Sequence, residues 1–262
     1  MKHKSSDKLS PSSPSEIKNL CCGCGEAKPL IEAHIIPKAF CKRLSKLNAA
    51  AKLVTPNAYV RRSPTGYYDS NILCGECDGK LGVFDDYAFS LVQGAIRGKK
   101  TIFEPVHEQG RLVAHSVADF DFDKLRLFVL SVLWRASISE DEFCSGAVLN
   151  DKEKNCLRDI VLYGAPISDD EYPFYCGRII LNGRGGLIHP PHPQISEDVQ
   201  FYNFCTGEFF FLVKVDCKPA PFLYSSWVAK PNQPLIFVLQ SIEESPQLRA
   251  AVKAVKSGLT KN

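Results

Sequence analysis

The stretch NILCGECDGKLG, residues 71–82, contains the second of two Cys-x-x-Cys pairs, and the first lies in CCGCG, residues 21–25. Four thiolates are the set that a structural Zn²⁺ ion takes in tetrahedral geometry, with Zn–S bonds of about 2.3 Å. Buried apolar cysteines are the alternative explanation. We predict a zinc site that ties two distant segments together, with Cys22 as either a ligand or a bystander. Its four expected ligands are Cys21, Cys24, Cys74 and Cys77.

The compartment bears on how these cysteines are interpreted. The N-terminal segment MKHKSSDKLSPSSPSEIK has no apolar signal-peptide core. The longest apolar runs, such as LFVLSVLW at 127–134, fall short of the roughly 20 residues that a membrane helix needs. We therefore expect a cytoplasmic protein without a membrane partner, in which clustered reduced thiols bind metal. The unpaired cysteines are predicted to be core thiols: Cys41, Cys144, Cys156, Cys176, Cys205 and Cys217.

Positive charge is concentrated in one segment. Residues 33–68 contain no Asp or Glu, although seven Lys and Arg residues fall among them. A segment of one sign suits an anionic partner, and nucleic acid is favoured because no stretch here could insert into a membrane. A solvated basic face is the alternative. The residues expected to contact phosphates are Lys38, Lys42, Arg43, Arg61 and Arg62, together with Lys80 from the second cysteine motif.

The pattern of elements predicts an α+β fold with two folded parts. Residues 1–17 are expected to form a flexible tail, 18–100 the zinc-containing domain and 115–262 an α+β domain. Helices are predicted after Gly82, over 121–139 and over 245–258. Strands are predicted in the aromatic and β-branched segments of the second half, with a hairpin turn at CTGE, and HPPHP at 189–193 is expected to be a rigid surface loop.

Between the cysteine pairs stands AHIIPKAF, residues 33–40. The order of Cys-x-x-Cys, HIIP, Asn-x-Leu and Cys-x-x-Cys-Asp-x-Lys-x-Gly resembles the HNH endonucleases of the His-Me finger (ββα-metal) class over roughly residues 20–90. The resemblance implies that His34 ends a β-hairpin and acts as the general base. It also implies that Asn71 is the middle Asn of the motif, bracing the histidine loop. Asp78, at the start of the following helix, would hold a catalytic Mg²⁺ or Mn²⁺ ion.

One position departs from the family pattern. Members usually carry Asp, Glu or His directly before the base as a metal ligand, whereas this chain has Ala33. Glu32 would face the other side of a regular strand. Either Asp78 shares the ion with another acid, such as Asp85 or Asp86, or the site is weakened or inactive. If the missing ligand limits the site, Asp at position 33 is expected to raise activity.

The resemblance implies a metal-dependent endonuclease that hydrolyses phosphodiester bonds in DNA. Nucleases of this class serve bacterial restriction and antiphage defence, so it also implies such a role. The C-terminal part would then provide targeting, dimerisation or a surface for a protein partner. A catalytically inactive zinc-binding module for nucleic acid or protein is the alternative function.

Overall fold

The computed structural model describes residues 20–46, 52–54, 60–62, 66–96, 99–180, 187–196, 198–215 and 226–241. The predicted tail over 1–17, the predicted helix over 245–258 and Cys217 lie outside these described residues. No helix among the described residues has both the length and the apolar character needed to cross a bilayer.

The described helices follow local sequence signals. Asp121 caps the predicted 121–139 helix by accepting a hydrogen bond from the backbone N–H of Lys124 at 3.0 Å. The helix predicted after Gly82 begins earlier, at Gly75, because Cys74 takes the extended N-cap conformation. The helices are α1 (Lys38–Lys46), α2 (Gly75–Val92), α3 (Phe122–Ile138) and α4 (Asp151–Tyr163), with a short 3₁₀ turn at Glu142–Cys144.

The strands form one large sheet and two small ones. In chain order they are β1 (Ala33–His34), β2 (Lys52–Val54), β3 (Val60–Arg62), β4 (Tyr68–Asp69), β5 (Ala95–Ile96), β6 (Lys99–Lys100), β7 (Glu104–Glu108), β8 (Arg111–Val117), β9 (Phe174–Ile180), β10 (Leu187–Ser196), β11 (Val199–Gly207), β12 (Phe209–Lys214) and β13 (Leu235–Ser241). The large sheet has the order β3-β2-β10-β11-β12-β9-β13-β8-β7, while β1 pairs with β4 and β5 with β6. The mixed α+β class is confirmed.

The second half contains the predicted strands, with one correction. The CTGE segment connects β11 to β12 as an antiparallel hairpin, as predicted. HPPHP is not a surface loop, because residues 189–193 belong to β10. Prolines lack the N–H that a regular ladder needs, and the register of β10 against β11 shifts between His189 and His192. A bulge of this kind accommodates proline within a sheet.

A single hydrophobic cluster includes residues from both predicted domains. Phe40 of α1 lies 5.3 Å from Phe89 of α2 and 5.9 Å from Phe128 of α3, measured between ring centroids. Strand β2 also joins the large sheet by pairing in parallel with β10. The division into domains stays a prediction, and the described parts of the two segments share their core.

The unpaired cysteines are mostly interior thiols. The prediction of core thiols holds for four of them, since Cys41, Cys144, Cys176 and Cys205 are buried. It is wrong for Cys156, which is exposed on α4, with its Sγ 3.4 Å from the hydroxyl oxygen of Tyr172. An isolated cysteine on an amphipathic helix carries too weak a local signal to reveal which face it occupies.

Candidate functional site

Four cysteines come together as the spacing predicts. The Sγ atoms of Cys21, Cys24, Cys74 and Cys77 all lie within 4.8 Å of one another. A tetrahedral Zn²⁺ ion with 2.3 Å bonds needs sulfur atoms about 3.8 Å apart, so this set fits after a small contraction. Cys22 is exposed and outside the group, which identifies it as the bystander. The cluster could therefore hold a metal ion such as zinc.

Backbone hydrogen bonds bring the two cysteine pairs together. The first pair lies in a tight turn in which the N–H of Gly25 donates to the carbonyl of Cys21 at 2.8 Å. Gly25 has φ +73°, a conformation that residues with a side chain rarely adopt. The N–H of Cys22 donates to the carbonyl of Ile72 at 2.9 Å, and Leu30 forms a β-bridge with Cys74. The cluster is thus formed across two antiparallel segments.

The surroundings of the four thiols lower the pKa of one of them. Burial raises the pKa of Cys21, but hydrogen bonds from the backbone N–H groups of Cys24, Cys74 and Gly23 outweigh it and bring the pKa to about 7. The N–H of Cys74 lies 3.3 Å from the Cys21 Sγ atom. Burial raises the pKa of Cys77, and hydrogen bonds to the neighbouring thiols add to the effect. A bound cation would favour the thiolate form of all four.

Helix α4 packs against the turn that carries the first cysteine pair. The hydroxyl of Tyr163 donates to the carbonyl of Gly23 at 2.9 Å. A Cβ atom on Gly23 would lie 2.8 Å from the Cys77 Sγ atom and 2.9 Å from Cδ1 of Leu162. Glycine is therefore the residue that lets the first cysteine turn approach both α2 and α4.

His34 lies at the end of a short strand pair. Strand β1 is antiparallel to β4, so that His34 stands opposite Tyr68, and the centroids of their rings are 5.8 Å apart. The imidazole is half-buried. Gly66 has φ +87°, and a Cβ atom there would lie 3.6 Å from Cδ2 of His34 and 2.8 Å from the Cys41 Sγ atom. The arrangement of two strands and a helix that the resemblance implies around His34 stays a prediction.

Asp78 lies in the first turn of α2, one residue after Cys77. Its N–H donates to the carbonyl of Cys74 at 3.0 Å, and its side chain is half-buried. Burial raises the pKa of the Asp78 carboxyl, while the positive charges of Arg135 and His34 oppose that rise. The charges of Arg135 and His34 thus both favour the ionised form of the Asp78 carboxyl.

Sequence reasoning did not identify Arg135, and the structure changes the expectation for Asp85. The Arg135 guanidinium donates from both Nη atoms to the two carboxylate oxygens of Asp85, each at 2.8 Å. Asp85 was expected as a possible partner of Asp78 in metal binding, but its carboxylate is held in this ion pair. Asp86 is exposed. A lone arginine inside the apolar run LFVLSVLWRASI was the available signal.

Ala33 does not face solvent beside His34. Its exposed fraction is 0%, and it belongs to the hydrophobic core cluster. Glu32, the preceding residue, is exposed, as expected for alternation along a strand. A carboxylate at position 33 would therefore enter apolar surroundings.

Asn71 lines a separate open cleft. It is exposed, and its backbone N–H donates to Oδ1 of Asp69 at 2.8 Å. The cleft has a volume of about 670 Å³, and its described lining includes Tyr68, Glu140 and Asp141 but neither His34 nor Asp78. The role of Asn71 in bracing the histidine loop stays a prediction.

The predicted phosphate contacts are described only in part. Lys38 and Lys42 are exposed on α1, on the side away from the buried Phe40. Lys80 is exposed too, but its Nζ lies 3.8 Å from a Glu76 carboxylate oxygen and 5.7 Å from the centroid of the Tyr163 ring. The backbone of Arg43 lies in α1 and that of Arg61 and Arg62 in the edge strand β3, whereas their side chains lie outside the described residues.

Comparison with protein-family models, with curated proteins and with solved structures finds no match in any of the three.

Proposed function

We propose that this chain is a metal-dependent endonuclease of the HNH type that hydrolyses phosphodiester bonds in DNA. One observation carries the proposal: the four-cysteine cluster and the bridge between Leu30 and Cys74 hold the segment that leads into His34 against the first turn of α2, which carries Asp78. A half-buried histidine and a half-buried carboxylate are a suitable choice of general base and metal ligand.

In the proposed reaction, the His34 imidazole accepts a proton from the attacking water near neutral pH. Asp78 would provide carboxylate oxygens for a divalent ion such as Mg²⁺ or Mn²⁺. That ion would supply stabilisation of negative charge on the phosphate and on the leaving 3′ oxygen. The half-buried position of His34 limits the orientations of its imidazole.

Zinc is the proposed occupant of the four-cysteine cluster. It would act structurally, because four protein thiolates leave no open position for a substrate or water. The cluster requires reduced thiols, which the cytoplasm provides. This is the compartment we propose for the protein.

DNA is the proposed substrate because of the uninterrupted basic segment. Lys38 and Lys42 place two positive charges on the exposed side of α1, where they would contact phosphates without reading sequence. Arg43, Arg61, Arg62 and Lys80 are proposed to extend that contact. A role in bacterial antiphage or restriction defence follows from the family resemblance, with the C-terminal part contributing dimerisation or a protein partner.

A second candidate function is a non-catalytic zinc module that binds nucleic acid or protein. The burial of Ala33 favours it, since the position that supplies a metal ligand in HNH enzymes contributes no oxygen here. The engagement of Asp85 by Arg135 also removes one alternative ligand.

A cleavage assay separates the two functions. Supercoiled plasmid and single-stranded RNA are incubated with zinc-loaded protein, with Mg²⁺, with Mn²⁺ or with no added ion. We expect the wild type to nick the plasmid only with an added ion. His34→Ala should abolish cleavage while leaving zinc content, melting temperature and DNA affinity unchanged.

The matched control is His107→Ala, which removes an exposed histidine on β7. It should cleave like the wild type. A wild type that binds plasmid without cutting it would favour the non-catalytic module, and cleavage confined to RNA would correct the substrate. A His34→Ala protein that cuts normally but melts early would make His34 a core residue.

A further inference from the structure

A buried ion pair fixes α2 against α3 two turns beyond Asp78. The Arg135 side chain is 1% exposed and that of Asp85 is 14% exposed. Besides its two bonds to Asp85, the guanidinium donates from Nε to the carbonyl of Ser131 at 3.3 Å. With three of its nitrogens held, Arg135 is locked in one orientation.

The ion pair lies on the face of α2 that also carries Asp78. Residues seven apart on an α-helix are separated by almost two full turns, so Asp78 and Asp85 point in nearly the same direction. Arg135 therefore holds the helix by the side that carries Asp78.

We propose that Arg135, acting through Asp85, is a positioning residue that sets the rotation of α2 so that Asp78 faces His34. This inference rests on the proposed endonuclease function. A side-chain tip lies roughly 5–6 Å from the helix axis, so a rotation of about 20° would move the Asp78 carboxylate by about 2 Å. A misplacement of about 1 Å in a catalytic arrangement can reduce the rate about 100-fold.

An ion pair of this geometry suits positioning better than stabilisation. Buried ion pairs often contribute little net stability compared with apolar residues of the same volume. A two-bond arginine–carboxylate pair does fix direction, because the planar guanidinium matches the carboxylate in one arrangement only. Lysine would keep the charge at this position but would lose the paired geometry.

The test compares Arg135→Lys with Arg126→Lys on the same helix. Arg126 is a suitable control because its side chain is 6% exposed and it pairs with Asp123 at 3.0 Å, while it lies on nearly the opposite face of α3. We expect Arg135→Lys to lower kcat about 100-fold, with zinc content and DNA affinity unchanged. The affinity for Mn²⁺, titrated by electron paramagnetic resonance, should fall about 10-fold. Arg126→Lys should change neither quantity.

A second variant covers the case in which Arg135→Lys does not fold. Asp85→Glu keeps the charge pair but lengthens it by one methylene, so it should also lower kcat while the protein stays folded. If both substitutions lower kcat through the same ion pair, the kcat of the double variant Asp85→Glu/Arg135→Lys should be no lower than that of the slower single variant.

Three outcomes decide the inference. Wild-type kcat in Arg135→Lys or in Asp85→Glu would overturn it and leave the endonuclease function intact. An equal loss of kcat in Arg126→Lys would also overturn it, by showing a general effect of destabilising α3. A wild type that cleaves neither DNA nor RNA would overturn the proposed function and this inference together.

Discussion

Replacement of Cys77 by serine should destroy the fold around the cysteine cluster. Cys77 is buried in the first turn of α2, and the turn around Gly23 packs directly against its Sγ atom. Serine would leave three thiolates for the metal and place a hydroxyl group in an apolar site. Both changes act on the folded state alone, so they reduce the free energy of unfolding.

The magnitude follows from the metal. Structural zinc sites supply about 10–16 kcal/mol in zinc-finger peptides, whereas a whole domain is stable by only about 5–15 kcal/mol. Losing a third to a half of the zinc contribution, about 3–8 kcal/mol, would remove a large part of that margin or all of it. An unpaired buried hydroxyl adds about 1–3 kcal/mol. We therefore expect Cys77→Ser, and likewise Cys74→Ser, to be insoluble or largely unfolded.

Elemental analysis and thermal melting test this expectation. The wild type should contain about one zinc ion per chain and should melt at a much lower temperature after chelation. Cys22→Ser is the matched control, because Cys22 is adjacent in sequence but exposed and outside the cluster. Metal-free wild-type protein with an unchanged melting temperature would refute the zinc site. Greater damage from Cys22→Ser than from Cys21→Ser would show that the ligand was misidentified.

Three further predictions concern stability. Gly66→Ala should lower the free energy of unfolding, measured by urea denaturation, by about 2–4 kcal/mol, because it combines a positive φ with contact against Cys41. An unchanged urea midpoint would contradict this geometry. Ala33→Asp should lower the free energy of unfolding by several kcal/mol, because it buries a carboxylate among apolar residues. It should not raise the rate of cleavage in Mg²⁺. Higher activity in a stable variant would restore the expectation from sequence. Burial, with the charge of His192, lowers the pKa of His189 to about 4. As pH falls from about 6.5 to 4, the unfolded chain therefore takes up a proton that the folded chain refuses, and about 3 kcal/mol of stability is lost. His189→Gln should reduce this acid destabilisation in urea titrations at several pH values, whereas exposed His107→Gln should leave it unchanged.

The features that sequence analysis predicted correctly are encoded locally. The spacing of two residues between paired cysteines places both thiols on one turn, and the set of four is needed for one ion. The helix from Phe122 to Ile138 is specified by its Asp121 cap and its apolar length. The β11–β12 hairpin is specified by aromatic strands around the CTGE turn. Each signal lies within a short stretch of sequence, and the tertiary contacts agree with it.

The features that it missed depend on contacts between distant segments. HPPHP has the composition of a loop, and only its pairing with β11 through a bulge makes it part of a strand. The burial of Ala33 depends on elements that close over β1 from elsewhere in the chain. The ion pair between Asp85 and Arg135 joins residues of two helices fifty positions apart. Neither periodicity nor composition reports such pairings.

Two constraints act on different turns of α2, and both bear on the position of Asp78. The cysteine cluster holds the first turn of the helix through Cys74 and Cys77. The Arg135–Asp85 pair holds the helix about two turns further along. A helix held at one point can still rotate or tilt about that point. Attachment at two points fixes both the direction of the helix axis and the rotation about that axis. Because Asp78 lies between the two attachments, its position would depend on both a metal ion held by the cysteines and the ion pair, even though neither contributes an atom to the proposed reaction.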